Sequence, residues 1–210
     1  MGKIVLATII ISGSAKWLLK VGGNKEKWYG SDRIFMYVMT VFGAMTVNYS
    51  EQCTEYGWVV SNLRLLAGGL LSAAYMDRRN CWVYNYVWWW CLPWAGILGL
   101  TAGGGFHGIV AVLVFVMLQQ LLFSRMYGKA DCHAFSVCAL AECGNAVGMV
   151  GFLLQMFLSV VLLTIVQLFR GNVTPRGRLR EPQPFIPYII TAFFSVTFLE
   201  SVFRTTYIYA

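Results

Sequence analysis

Two aspartates, Asp77 and Asp131, are the residues of this chain best placed to do chemistry. Each stands at the end of an apolar run and beside basic residues, in Tyr75-Met76-Asp77-Arg78-Arg79 and in Gly128-Lys129-Ala130-Asp131. Two carboxylates held close share a proton, because like charges resist ionising together. The ionised member then draws a proton from water while the protonated one hydrogen-bonds a carbonyl oxygen. That division of labour is the minimum for hydrolysing an amide bond with carboxylates and water alone. Only nine Asp and Glu residues occur in the 210, so two that reach one membrane face are informative. Read singly, each has a simpler role. Asp77 is then an ion-pair partner of Arg78 or Arg79, and Asp131 the N-cap of the helix that follows.

The elements that must position these groups are apolar. Hydrophobic residues make up 58% of the chain and charged ones 12%, against about 25% charged in soluble domains. An all-α, polytopic transmembrane bundle follows, since an open strand edge is not satisfied in lipid. Its size is about eight helices, within a range of six to nine, at roughly 20 residues per crossing. The apolar runs fall near Ile4–Leu19, Ile34–Tyr49, Gly57–Tyr75, Tyr86–Ala102, Gly108–Phe123, Ala134–Cys143, Val147–Phe169 and Phe185–Phe203. The second and sixth are short for a bilayer. Met1 to Leu19 lacks a small-residue cleavage site and reads as a retained helix, not a signal peptide. The organisation expected is a pair of N-terminal transmembrane helices over residues 1–56 and a core over residues 57–210. Gly68-Gly69 with Ser72, Ala73 and Ala74 offers a small-residue face for close helix packing.

Charge alternates from loop to loop. Lys16, Lys20, Lys25, Lys27 and Arg33 cluster after the first helix, whereas the next loop carries Glu51 and Glu55. With eight helices, thirteen of the sixteen Lys and Arg fall on one side, Lys3, Arg64 and Arg204 being the exceptions. By the positive-inside rule that side is cytoplasmic and both termini lie outside. The expected location is the cell membrane, multi-pass, with Asp77 and Asp131 both on the cytoplasmic face. The basic stretch from Arg170 to Pro184 reads first as an ordinary positive-inside loop, with a mobile basic loop beside the active site as the alternative. The net charge of +7 is spread over such topology signals, so no nucleic-acid partner is expected.

A family resemblance enters on these residues. Asp77-Arg78-Arg79 at the end of an apolar helix resembles the first motif of the type IV prepilin peptidases. Gly128-Lys129-Ala130-Asp131 before a second apolar helix resembles their G-x-G-D motif, and Pro184-Phe185-Ile186-Pro187 resembles the start of their last helix. The order and spacing of the three fit over roughly Gly57 to Ala210. The resemblance implies a membrane aspartyl endopeptidase that removes the basic leader of type IV pilin-like precursors at the cytoplasmic face. Asp77 and Asp131 match the catalytic pair; Gly128, Lys129, Ala130, His133, Arg78 and Pro187 form its neighbourhood. Ala130 stands where the family often has glycine, and His133 where it often has lysine. The cysteine-rich insert of bifunctional members is missing, so N-methyltransferase activity is not implied. No metal or organic cofactor is required.

Other residues point elsewhere. The cysteines (Cys53, Cys81, Cys91, Cys132, Cys138, Cys143) form no C-x-x-C pair, and Cys132, Cys138 and Cys143, on one apolar segment, read as small hydrophobes. His107 reads as interfacial and Trp88-Trp89-Trp90 as part of an aromatic belt, with Trp82 or Tyr84 available to a substrate. Glu142, Glu200 and Arg64 fall inside apolar segments, where ionisable groups mark pathways. They support an alternative, a small ion-coupled transporter in which Arg64 pairs with either glutamate. A non-catalytic assembly subunit would explain the composition but not the paired aspartates.

Overall fold

The chain folds as an all-helical bundle with no strand among the described residues. The computed structural model describes residues 2–22, 30–53, 57–101, 106–125, 128–142, 148–171 and 183–209. The helices are α1 (Gly2–Val21), α2 (Gly30–Cys53), α3 (Gly57–Asn80), α4 (Asn85–Thr101), α5 (Phe106–Leu121), α6 (Lys129–Glu142), α7 (Gly148–Phe169) and α8 (Ile186–Tyr209). Each coincides with an expected apolar run, so the fold class holds. The boundaries move where polar residues continue a helix. At 24 residues α2 is not short, and α3 runs on through Asp77, Arg78 and Arg79.

Four helices, at Gly2–Val21, Val59–Asn80, Met149–Phe169 and Ile186–Phe203, are long and apolar enough to cross a membrane. Much of the bundle's outside is apolar as well. On α7, Val150, Phe157, Leu168 and Phe169 are each at least 59% exposed. On α5, Leu113, Met117 and Leu121 point outward. Soluble monomers avoid continuous apolar surface of this kind, whereas a bilayer favours it. The chain has the build of a membrane protein.

The centre of the bundle is α3. It packs against α1, α2, α4 and α8, and 78% of its apolar window is buried against 22% for α7 on the periphery. Close approach there depends on small residues. A Cβ on Gly69 would meet Cys91 Sγ of α4 at 2.5 Å, and one on Gly68 would overlap Ser14 of α1. Leu66, Leu70, Leu71 and Met76 fill the remaining space. Polar links then fix the register of neighbouring helices. Tyr86 Oη donates to the Leu18 carbonyl at 2.9 Å, and the Ser50 and Ser201 hydroxyls lie 2.9 Å apart between α2 and α8.

Helix α6 is the second buried element. Its 14 residues span about 21 Å, less than a bilayer core. Cys132, Ala134 to Ala139, Ala141 and Glu142 are nearly all inaccessible, because α4, α5, α7 and α8 pack around it. A short helix of modest hydropathy is tolerated there because protein, not lipid, surrounds it.

Candidate active site

Asp77 lies in the last turn of α3. The helix stops at Cys81, whose N–H bonds the Asp77 carbonyl at 2.8 Å. Cys81 adopts a φ of 53°, the left-handed conformation that ends many helices and that usually belongs to glycine. The chain then turns through residues 82–84 into α4. The Asp77 side chain itself is only 5% exposed. Its Oδ2 accepts the Ile186 N–H at 2.9 Å, and the Phe185 N–H contributes as well.

That partnership has a simple origin. The first N–H groups of any helix lack intrahelical acceptors and form the positive end of its dipole. The Phe185 carbonyl accepts from Tyr188 and Ile189, so α8 starts immediately after it. Asp77 supplies an acceptor to these orphan donors from another helix. Pro187, in the same first turn, has no N–H to satisfy and fits without loss.

Asp131 is held in a parallel way. The Cys132 N–H bonds the Gly128 carbonyl at 3.1 Å, which makes Gly128 the capping residue of α6. Asp131 is the third residue of that helix, and its Oδ2 accepts the Gly128 N–H at 3.2 Å, the return half of a capping box. The expected N-cap role therefore moves from Asp131 to Gly128. A Cβ on Gly128 would lie 3.2 Å from the same oxygen, so a larger residue there presses on the carboxylate. Asp131 is half-buried, and burial pushes its carboxyl up from the ordinary 3.8 to about 6, against the opposing pull of the Gly128 N–H.

The two aspartates line one cleft of about 990 Å³ at a single end of the bundle. They are near enough for the charge of Asp131 to act on Asp77. Gly128, Lys129, Ala130 and His133 line the same cleft on the α6 side. Trp82 and Trp88 close it from α4 and the turn before it, and Val160 and Leu163 of α7 supply an apolar wall. Gln120 Nε2 lies within hydrogen-bond reach of His133 Nδ1, at 3.3 Å. Burial and then Lys129 lower the His133 pKa, so this position is neutral near pH 7, where a lysine would be charged.

No protein-family model, curated protein or solved structure matches the chain. The site is defined by its own geometry.

The neighbourhood differs in part from its sequence expectation. Arg78 and Arg79 do not pair with Asp77. They turn to Asp32 of α2, at 3.6 and 3.7 Å, and Arg78 also lies 4.7 Å over the Phe35 ring. Asp32 was not singled out in the sequence, although an acid set among five cations at this end was a usable signal. Arg78 and Pro187 border a second, adjoining cavity of about 480 Å³ that meets the cleft at Gln183. Arg64 pairs with Glu51 at 3.1 Å, not with Glu142 or Glu200, and Lys3 reaches the same glutamate at 3.0 Å. Glu142 is buried near Glu200 at the far end of α6 from Asp131. The tryptophan run divides by helical geometry: Trp89 is 74% exposed, whereas Trp88 is 4% exposed and faces the cleft. Among the described residues no cluster of three His, Cys, Asp or Glu side chains is arranged to hold a metal ion. The side chain of His107 lies outside the described residues.

Proposed function

We propose that this protein is a membrane aspartyl endopeptidase acting on type IV pilin-like precursors, whose basic leaders it removes at the cytoplasmic face of the cell membrane. The observation that carries the reading is the shared cleft of Asp77 and Asp131, each tied by one oxygen to a helix N-terminus. Those bonds fix two carboxylates that have no intrinsic reason to meet. The sequence order of the Asp77, Gly128–Asp131 and Pro184–Pro187 segments supports the same assignment.

The chemistry follows from the arrangement. One proton is shared by the two carboxyls, and water enters between them. The ionised group takes a proton from water as the oxygen attacks the scissile carbonyl, while the protonated group donates to the carbonyl oxygen. Collapse of the tetrahedral intermediate returns a proton to the leaving amine and regenerates the singly protonated pair. The apolar wall of Val160 and Leu163 suits the apolar helix that follows a pilin leader. Lys129 in the cleft opposes a basic leader, so binding draws on helix packing, not charge attraction.

The test is coexpression with a pilin-like precursor followed by sequencing of the product's new N-terminus. Cleavage between leader and apolar helix, lost in both Asp77→Asn and Asp131→Asn, is the expected result. An unchanged precursor with the wild-type protein, or processing that survives either substitution, would refute the assignment.

A further inference from the structure

A second cleft, separate from the aspartates, lies between α1 and α2. It has a volume of about 410 Å³, within the roughly 300–1,000 Å³ of small-molecule sites. One wall is a ladder of small residues, Thr8 and Ser12, that ends in Lys16; the other runs from Arg33 past Tyr37 to Thr40. The spacing of four between Thr8, Ser12 and Lys16 puts all three on one helix face. The hydroxyls leave a furrow but add little polarity to it. Thr8, Ser12 and Thr40 donate to the carbonyls of Ile4, Ile9 and Met36 within their own helices. What remains exposed along the furrow is mainly hydrocarbon, with Met36 at its base.

The mouth is different in kind. Lys16 and Arg33 are both exposed, and neither pairs with a carboxylate among the described residues. Asp32, next to Arg33, is already engaged by Arg78 and Arg79. These contacts also fix the depth of the mouth. Arg78 and Arg79 adjoin Asp77, and Leu18 of α1 is bonded to Tyr86 at the start of α4. Lys16 and Arg33 therefore sit at the end of the bundle that carries the aspartates, where a bilayer's headgroups lie. Tyr37, 70% exposed beside them, suits the same interfacial level.

An apolar furrow that runs along two membrane helices and ends in two exposed cations is complementary to one kind of partner. We propose that this furrow holds an anionic phospholipid, with its phosphate between Lys16 and Arg33 and an acyl chain along Ser12, Thr8 and Thr40. Basic pockets between membrane helices recognise anionic headgroups in this way. A zwitterionic lipid offers the same chain, but its own ammonium group offsets the attraction. The site is independent of the peptidase reading, because none of its residues lines the aspartate cleft.

The experiment is native mass spectrometry of the purified full chain, exchanged from detergent into phosphatidylglycerol, phosphatidylcholine or inorganic phosphate alone. Phosphatidylglycerol should be retained in preference to phosphatidylcholine, and phosphate alone should leave no adduct. Each cation near the surface is worth roughly fivefold in affinity, so Lys16→Gln with Arg33→Gln should lower phosphatidylglycerol retention by roughly 25-fold. Lys20→Gln, an exposed cation one turn beyond the furrow, should lower it far less than the double variant does. Ser12→Leu, which fills the furrow and keeps both charges, should also reduce retention. Equal retention of both lipids, an unaltered double variant, or a Lys20→Gln loss as large as that of the double variant would overturn the proposal. A phosphate adduct as persistent as the lipid would replace it with a free-anion site.

Discussion

Replacing Asp131 by asparagine should make this protein more stable at alkaline pH while removing its proposed activity. The half-buried carboxyl has its pKa raised from 3.8 to about 6, so ionising it is harder in the folded chain than in the unfolded one. For a group raised in this sense, its favourable contribution is complete below 3.8 and lost as pH rises through about 6. The full difference is about two powers of ten in proton affinity, or about 3 kcal/mol. Water reaching Asp131 from the cleft reduces this to about 2 kcal/mol. Asparagine retains an oxygen for the Gly128 N–H, and the pull of that bond on the charged carboxylate is already contained in the value of about 6. The net gain is about 2 kcal/mol above pH 7, a rise of roughly 4–8 °C in the unfolding midpoint for a chain of this size. Midpoints of the detergent-solubilised wild type and variant, followed by intrinsic tryptophan fluorescence from pH 4 to pH 8, provide the assay. The advantage should shrink towards zero as pH falls towards 4, where both side chains are neutral in the folded chain. A variant less stable than the wild type at every pH would show that Asp131 is a structural cap and refute the reasoning.

Other outcomes follow from the same geometry. Asp77→Asn should leave the bundle folded, since the amide oxygen can still accept the Ile186 N–H, but should abolish leader cleavage; circular dichroism and the processing assay read the two parts separately. Cys81 is exposed at the rim of the cleft, so a bulky maleimide should block processing in the wild type and not in Cys81→Ser. Cys81→Gly should raise stability by about 0.5–1 kcal/mol, because the left-handed φ of 53° carries no penalty for glycine, as a shift in thermal midpoint would report. On the proposed orientation, a cysteine introduced at Thr54 should react with an impermeant reagent outside intact cells, whereas one at Arg176 should react only after permeabilisation.

The helices were legible because most apolar runs are long and are set off by charge or glycine. Their ends were less so. Lys129, Asp131 and His133 interrupt the apolar pattern and put the start of the run at Ala134, yet Gly128 and Asp131 form a capping box that starts α6 at Lys129. The cap was readable in Gly128-x-x-Asp131 had the spacing been weighed as a helix start. The partners of the charged groups were harder. Arg78 and Arg79 adjoin Asp77 in sequence, but successive helical residues point about 100° apart, and α2 offered Asp32 on their side of α3. The same rotation separates Trp88 from Trp89. Nothing local to Asp77 announces the Ile186 N–H, since backbone amides carry no sequence signature of their availability. Arg64 and Glu51 belong to helices joined by a short connection, and that proximity was a better guide than shared isolation with Glu142 and Glu200.

The bond between Asp77 and Ile186 joins residues 109 positions apart. A ribosome reaches Asp77 and Asp131 well before it reaches Ile186, so during synthesis the first carboxylate waits without its donors while α4 to α7 are made. Until α8 enters beside α3, water is the acceptor's only partner and the Asp77 side chain has no fixed direction. Chains that stall or are cut before residue 186 would therefore carry both aspartates and still lack the assembled pair. The order of synthesis makes insertion of the last helix the step that completes the site.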